Sequence, residues 1–249
     1  MQLVGAPATW LLSNHDVTRP VTRYGRQDSS FAFLKKRRGT PSDLALGTQR
    51  ARAAHLLAAA LPGSLYVYQG DELGLEEVDD LPEHQLQDPM FFRSEGVDPG
   101  RDGCRVPLPW SGSERPFGFS PAGAEAAPWL QQPETWALKT VDAQLADPGS
   151  MLTLYRDSLQ IRRTDPDLRA PGLRWLEAPD GVLAFARGVG FVCLTNLRAT
   201  PLALPTTVDV LIASTPVQDG ALSPDASAWI RTDPDDLARR AGWPTREAG

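Results

Sequence analysis

The chain is 249 residues long, enough for one large domain or two small ones, and its 41% hydrophobic and 22% charged residues are the composition of an ordinary globular protein. Its 31 acidic residues outnumber 25 Lys and Arg, and the net charge of −6 disfavours broad binding to nucleic acid or to an anionic lipid surface. No segment approaches the ~18 apolar residues of a membrane-spanning helix.

Residues 8–12, Ala-Thr-Trp-Leu-Leu, are a short continuous apolar run, which fits a strand buried on both faces, as in a parallel sheet. The run ends in the polar cluster Ser13-Asn14-His15-Asp16. A long polar loop follows. It holds Arg19, Arg23, Tyr24 and the one basic run, Lys35-Lys36-Arg37-Arg38, which no aromatic residue interleaves and which reads as solvated loop. Thr40 as N-cap, Pro41 at the first helical position and Asp43 at the third predict a helix start, a variant of the capping box. The helix continues through Leu44, Ala51, Ala54, Leu56, Leu57 and Ala58, and Pro62-Gly63 stops it. His55, in this alanine-rich helix, reads as packed. A second apolar run at 64–68 ends in the turn Gln69-Gly70-Asp71-Glu72-Leu73-Gly74. Strand, helix and strand with one crossover make a βαβ unit, so the two strands are expected to be parallel.

Residues 75–133 read mostly as loop, a length that is often functional. Helices are expected over 134–146 and 151–163, the second with Leu152, Tyr155 and Leu159 on one face and ended by Asp165-Pro166. From 173 onward the pattern changes to short runs between turn signals. They predict strands at 173–177, 182–186, 191–197, 201–204, 208–213 and 229–230, a small antiparallel β-domain. Residues 233–249 are polar and read as a loose tail. The two cysteines, Cys104 and Cys193, stand in no metal-ligand spacing and read as structural thiols. With no charged leader in residues 1–7, the expected location is the cytoplasm.

Asn14-His15-Asp16, with Arg19 three residues on, carries the most chemical content. A His–Asp pair at the carboxyl end of a buried parallel strand faces the loops where α/β barrels place their active sites. The carboxylate can offset positive charge developing on a substrate, and the imidazole can donate a hydrogen bond to a hydroxyl. The same tripeptide also reads as a turn-capping Asp beside a core His.

Residues 10–25, Trp-Leu-Leu-Ser-Asn-His-Asp-Val-Thr-Arg-Pro-Val-Thr-Arg-Tyr-Gly, closely resemble the seventh-strand motif of alpha-glucosidases of the alpha-amylase-like glycoside hydrolase family. The resemblance continues through Leu61-Pro62-Gly63 and Tyr68-Gln69-Gly70-Asp71-Glu72-Leu73-Gly74, which look like the eighth strand. It continues through Gln87-Asp88-Pro89 and the segment 101–110, Arg-Asp-Gly-Cys-Arg-Val-Pro-Leu-Pro-Trp, and reaches Leu154-Tyr155-Arg156 and Ile161-Arg162-Arg163. It implies an α/β fold: the last two βα units of a (β/α)8 TIM barrel over residues 1–170, then an antiparallel β-sandwich domain over 171–232 and the tail. It also implies a retaining mechanism on α-glucosidic bonds of oligosaccharides, with one carboxyl group as nucleophile and another as general acid/base. Asp16 matches the family's third carboxylate, which binds sugar hydroxyls and favours the positively charged state. His15 matches the histidine that hydrogen-bonds the bound glucose. Arg101 matches an arginine near the glucose site, and reads equally as a loop salt bridge with Asp98 or Asp102. Asp71 and Glu72 match a structural turn. No cofactor or metal is implied.

The contexts that carry the family's nucleophile and acid/base are not found in these residues, so the chain is expected to be a C-terminal part that begins near the seventh strand. Two parallel strands cannot close a barrel and would leave edges and apolar faces open. The missing barrel portion is therefore expected as a partner, in the same chain or in another. The chain alone is expected to have poor stability and no glucosidase activity. A glucosyl transferase or isomerase of the same family, such as a trehalose synthase, and a non-catalytic sugar-binding or interaction module are the other readings.

Overall fold

The computed structural model describes residues 6–29 and 40–243. The basic run at 35–38 and the end of the tail, 244–249, lie outside them. The chain divides into two compact units that interleave along the sequence, one made of residues up to Leu11, Arg52–Tyr66 and those from Tyr155 on, the other of Leu12–Ala51 and Val67–Leu154.

The first unit contains strands β1 (Thr9–Leu11) and β2 (Ser64–Tyr66), which pair in parallel with Trp10 opposite Leu65. The βαβ reading holds, though both strands are shorter than their apolar runs. The pair is close: Ser64 N–H donates to Ala8 C=O at 3.0 Å, and the Trp10 indole N–H donates to Pro62 C=O at 2.8 Å. Gly63 makes this possible. Its φ of +115° suits glycine, and a Cβ there would meet Ala8 O at 2.1 Å. Leu11 and Tyr66 lie opposite each other and remain 47% and 65% exposed.

The helix between the strands, α2 (Leu44–Ala60), starts later than the sequence suggests. Its first turn is capped by Asp43, whose Oδ1 accepts from Leu46 N–H at 2.9 Å and whose C=O accepts from Gly47 N–H at 2.8 Å. Thr40 is not the cap. His55 is buried as expected, stacked on Tyr155 at 3.4 Å between ring centroids and 2.8 Å from Ser158 Oγ. Burial, with Arg52 and Arg162 beside it, lowers its pKa to about 3 and keeps the imidazole neutral.

Helix α5 (Met151–Thr164) ends where Asp165 caps the short α6 (Pro166–Arg169), accepting from Asp167 N–H at 2.9 Å. An antiparallel sheet follows, ordered β3-β4-β5-β9-β7: Arg174–Trp175, Val182–Arg187, Phe191–Asn196, Ala226–Arg231 and Asp209–Ala213. A separate antiparallel pair joins Leu202–Ala203 (β6) to Ala221–Leu222 (β8), a strand the sequence reading lacks. The central strands are covered on both faces. Ala184, Val192, Leu194, Ala228 and Ile230 share a core with Leu202 and Leu222. On the opposite face, Trp229 Nε1 donates to Leu56 C=O at 3.0 Å and Ser227 Oγ to Ala53 C=O at 2.9 Å, both in α2. Part of the expected tail is structured as well. Pro234–Arg240 is helix α7, capped by Asp233, with Leu237 and Trp243 in the same core.

The second unit is mostly loop with short helices: α1 (Pro20–Tyr24), α3 (Pro89–Arg93) and α4 (Val141–Leu145), plus 3-10 turns at Glu83–Gln85, Asp102–Cys104 and Glu134–Lys139. The single helix expected over 134–146 is two, divided at Thr140, whose extended backbone (ψ 152°) breaks the helix and whose Oγ1 caps α4 through Ala143 N–H. The core of this unit gathers Leu73, Leu75, Leu81, Phe91, Val106 and Trp136. No helix among the described residues is long and apolar enough to cross a membrane.

Candidate active site

The polar cluster that follows β1 folds back on itself within the second unit. Asn14 Oδ1 accepts from Asp16 N–H at 2.8 Å, an Asx turn that sets the direction of the next side chain. Asp16 is two-fifths exposed and its neighbour His15 more so, with His15 Nε2 and Asp16 Oδ2 3.4 Å apart. Arg101 Nη1 donates to Asp16 Oδ1 at 2.9 Å, and Arg105 Nη2 lies 3.8 Å from the same oxygen. The hydrogen bond from Arg101, with the charges of His15, Arg101 and Arg105, overcomes partial desolvation and holds the Asp16 carboxyl below its ordinary value. Asp16 is therefore an ionised, accessible acceptor beside two guanidinium groups.

The loop of Arg101 is tied down at several points. Arg101 Nε donates to Asp88 Oδ2 and Nη2 to Asp88 Oδ1 at 3.3 Å. Neither carboxylate expected as its loop partner takes that role: Asp98 accepts from Gly100 N–H at 2.8 Å, and Asp102 Oδ2 accepts from the N–H groups of Gln87 and Asp88, each at 2.9 Å. Cys104 Sγ reaches His15 C=O at 3.4 Å, and Arg105 Nη2 reaches the same carbonyl at 3.2 Å. Arg19 is fully buried. Its Nη1 donates to Gln69 C=O at 2.9 Å and its Nη2 to Cys104 C=O at 2.8 Å, so one guanidinium joins three loop segments.

Asp71 is buried apart from solvent, with both oxygens accepting from Ser13 Oγ at 2.8 and 2.7 Å, while Glu72 accepts from Gly70 N–H at 2.8 Å. Both behave as turn residues, as the sequence reading holds. Burial raises the Asp71 pKa to about 6, against the lowering effect of Ser13 and Arg19.

The structure thus brings Asp16, His15 and Arg101 together. Sequence reasoning did not single out Asp88 or Arg105 for the site. Asp88 carries a legible local signal, an Asp N-cap before Pro at the first helical position, but nothing local announces that its carboxylate also binds Arg101. No group of three His, Cys, Asp or Glu among the described residues could hold a metal ion.

The family described as "Alpha amylase, catalytic domain" matches residues 2–170. A probable alpha-glucosidase of Rhizobium meliloti (strain 1021) is 33% identical over 195 residues, covering 76% of this chain and 31% of the relative. An alpha-glucosidase of Pediococcus pentosaceus is 28% identical over 206 residues, 74% of this chain and 33% of its own. Among solved structures, an alpha-glucosyl transfer enzyme is 30% identical with a TM-score of 0.69, covering 90% of this chain and 40% of that one. The Bacillus licheniformis trehalose-6-phosphate hydrolase, at 19% identity, TM-score 0.67 and coverages of 90% and 43%, shares the fold. The chain spans about a third of the length of these curated relatives, and within it the fold is α/β and partly TIM-barrel-like. On the family match over residues 2–170 and the identity to the curated alpha-glucosidase, the chain belongs to the alpha-amylase family.

Proposed function

We propose that this chain is the C-terminal part of a retaining alpha-glucosidase that hydrolyses α-glucosidic bonds of oligosaccharides, with Asp16 as its third catalytic carboxylate and His15 and Arg101 as glucose-binding residues. The observation that carries the reading is the Asp16 carboxylate, ionised, accessible and clamped by Arg101 beside His15. Such a group accepts hydrogen bonds from sugar hydroxyls, and its fixed negative charge favours the oxocarbenium-like state over the neutral ground state. His15 supplies a donor to the same ring. The curated relatives named alpha-glucosidase support the substrate class.

The nucleophile and the acid/base belong to the barrel portion that this chain does not span. That portion is the proposed partner, in cis or in trans, and neither nucleic acid nor a membrane is. Among the described residues the parallel pair has no third strand, and this and the exposed Leu11 and Tyr66 support it, because an isolated parallel pair leaves backbone groups and apolar faces without cover.

The test is to produce the chain together with that barrel portion and to follow hydrolysis of p-nitrophenyl α-glucoside and of isomalto-oligosaccharides. The assembly turns over and the chain alone does not, while Asp16→Asn lowers kcat by about 100- to 1,000-fold. Turnover by the chain alone, or an Asp16→Asn assembly as fast as the unmodified one, overturns the proposal. A second reading, glucosyl transfer, is favoured by the alpha-glucosyl transfer enzyme at 30% identity. In the same assay it is recognised by glucosides, in place of free glucose, accumulating when an acceptor sugar is present.

A further inference from the structure

Asp88 has more bonds than a helix cap needs. Capping α3 uses one oxygen, Oδ1, which accepts from Met90 N–H at 3.0 Å. The other oxygen, Oδ2, accepts from the backbone N–H of Arg101 at 2.9 Å and from Arg101 Nε. With Arg101 Nη2 reaching Oδ1 at 3.3 Å, the Nε–Nη2 edge of the guanidinium is taken up entirely by Asp88. A guanidinium is planar and its donors form a rigid fork, so fixing one edge fixes the direction of the remaining nitrogen, Nη1. Nη1 is the atom that meets Asp16.

Asp88 is itself immobilised. Its side chain is fully buried, and its own N–H is held by Asp102 Oδ2. Gly100, at φ +75°, lies so close that a Cβ would stand 2.6 Å from Asp88 Cβ. Asp16, by contrast, is exposed and contacts Arg101 through one nitrogen, which is too little to orient the fork by itself.

We propose that Asp88 is a positioning residue: its carboxylate clamps the Nε–Nη2 edge of Arg101 so that Nη1 is presented to the glucose-facing Asp16. The functional consequence rests on the proposed role of Asp16, whereas the clamp rests on geometry alone. Burial works against the Asp88 charge, but the Arg101 side chain and the N–H groups of Met90 and Arg101 outweigh it, so the carboxylate stays ionised and the clamp stays charged.

The experiment is a carboxyl-carbon NMR titration of Asp16 in the full chain, for the unmodified protein and for Asp88→Asn and Asp88→Ser. Asn and Ser both cap helices, so α3 is retained while the charged second oxygen is lost. The Asp16 midpoint rises in both variants toward that of an ordinary aspartate, further in Asp88→Ser, because Arg101 no longer holds Nη1 in place. An Asp16 midpoint unchanged in a folded variant overturns the proposal, since Arg101 then finds Asp16 unaided. Should neither variant fold, Arg101→Lys decides. An ammonium cannot span both carboxylates and goes to buried Asp88, so the Asp16 midpoint rises; a midpoint left low means the fork is not the device. The turnover assay on Asp16→Asn is separate, and its failure removes the glucosidase reading while leaving the titration result standing.

Discussion

Asp16 and Asp71 are the same side chain in opposite settings, three residues of backbone and one hydroxyl apart: Ser13, which binds Asp71, sits just before the Asn14 turn that aims Asp16. Arg101 holds Asp16 ionised, whereas burial raises Asp71 to about 6. For Asp71 the sign follows from proton linkage. The folded state binds the proton more tightly than the unfolded chain, so the stabilising contribution is complete below about 4 and is lost as pH rises through about 6. The difference amounts to about 3 kcal/mol at neutral pH. Asp71→Asn keeps an acceptor for Ser13 and has no charge to bury. Urea unfolding at several pH values is expected to show the unmodified protein losing stability relative to this variant between pH about 4 and about 6; parallel profiles would mean that Asp71 does not titrate there. Asp16 and His15 stood out through the resemblance of residues 10–25 to a seventh-strand motif, because the tripeptide alone reads as well as a turn cap beside a core His. The partner of Arg101 was not legible. Asp98 and Asp102 are nearer in sequence, yet Asp88, thirteen residues away, is the carboxylate the fold brings against the Nε–Nη2 edge of the guanidinium.

Among the elements, those set by apolar runs and by proline or glycine stops were readable, and those set by a single cap were not. Strands β1, β4, β5 and helix α5 fall where the runs place them. The start of α2 moved from Thr40 to Asp43 because the side chain and carbonyl of Asp43 bind the N–H groups of the first turn. Strand β8 has two residues and no pattern of its own, and α7 carries little apolar content, with Leu237 buried and Ala238 beside it against a core that local sequence does not reveal. The β1–β2 ladder depends on one glycine. Gly63→Ala places a methyl group against Ala8 O in a backbone conformation that L side chains rarely adopt. It is expected to destabilise the first unit by about 1–3 kcal/mol, read as a lower denaturation midpoint with an unchanged slope. A neutral result would mean that the strands separate at little cost.

At the scale of the whole molecule, the division into two interleaved units was not legible, since contacts between distant segments decide it. Each unit carries its own cysteine, and both are outside any disulfide and sealed from solvent: Cys104 between the carbonyls of His15 and Arg101, and Cys193 in the central strand β5. Burial raises the Cys193 thiol well above its ordinary value, so it reacts only when its strand opens. The protein thus contains two built-in clocks. In dilute iodoacetamide under native conditions, Cys104, surrounded by short helices and loops, is expected to be alkylated at least about 10-fold faster than Cys193. Mass spectrometry of the two peptides reads each rate separately, and equal rates would mean that both halves of the chain open in one concerted event.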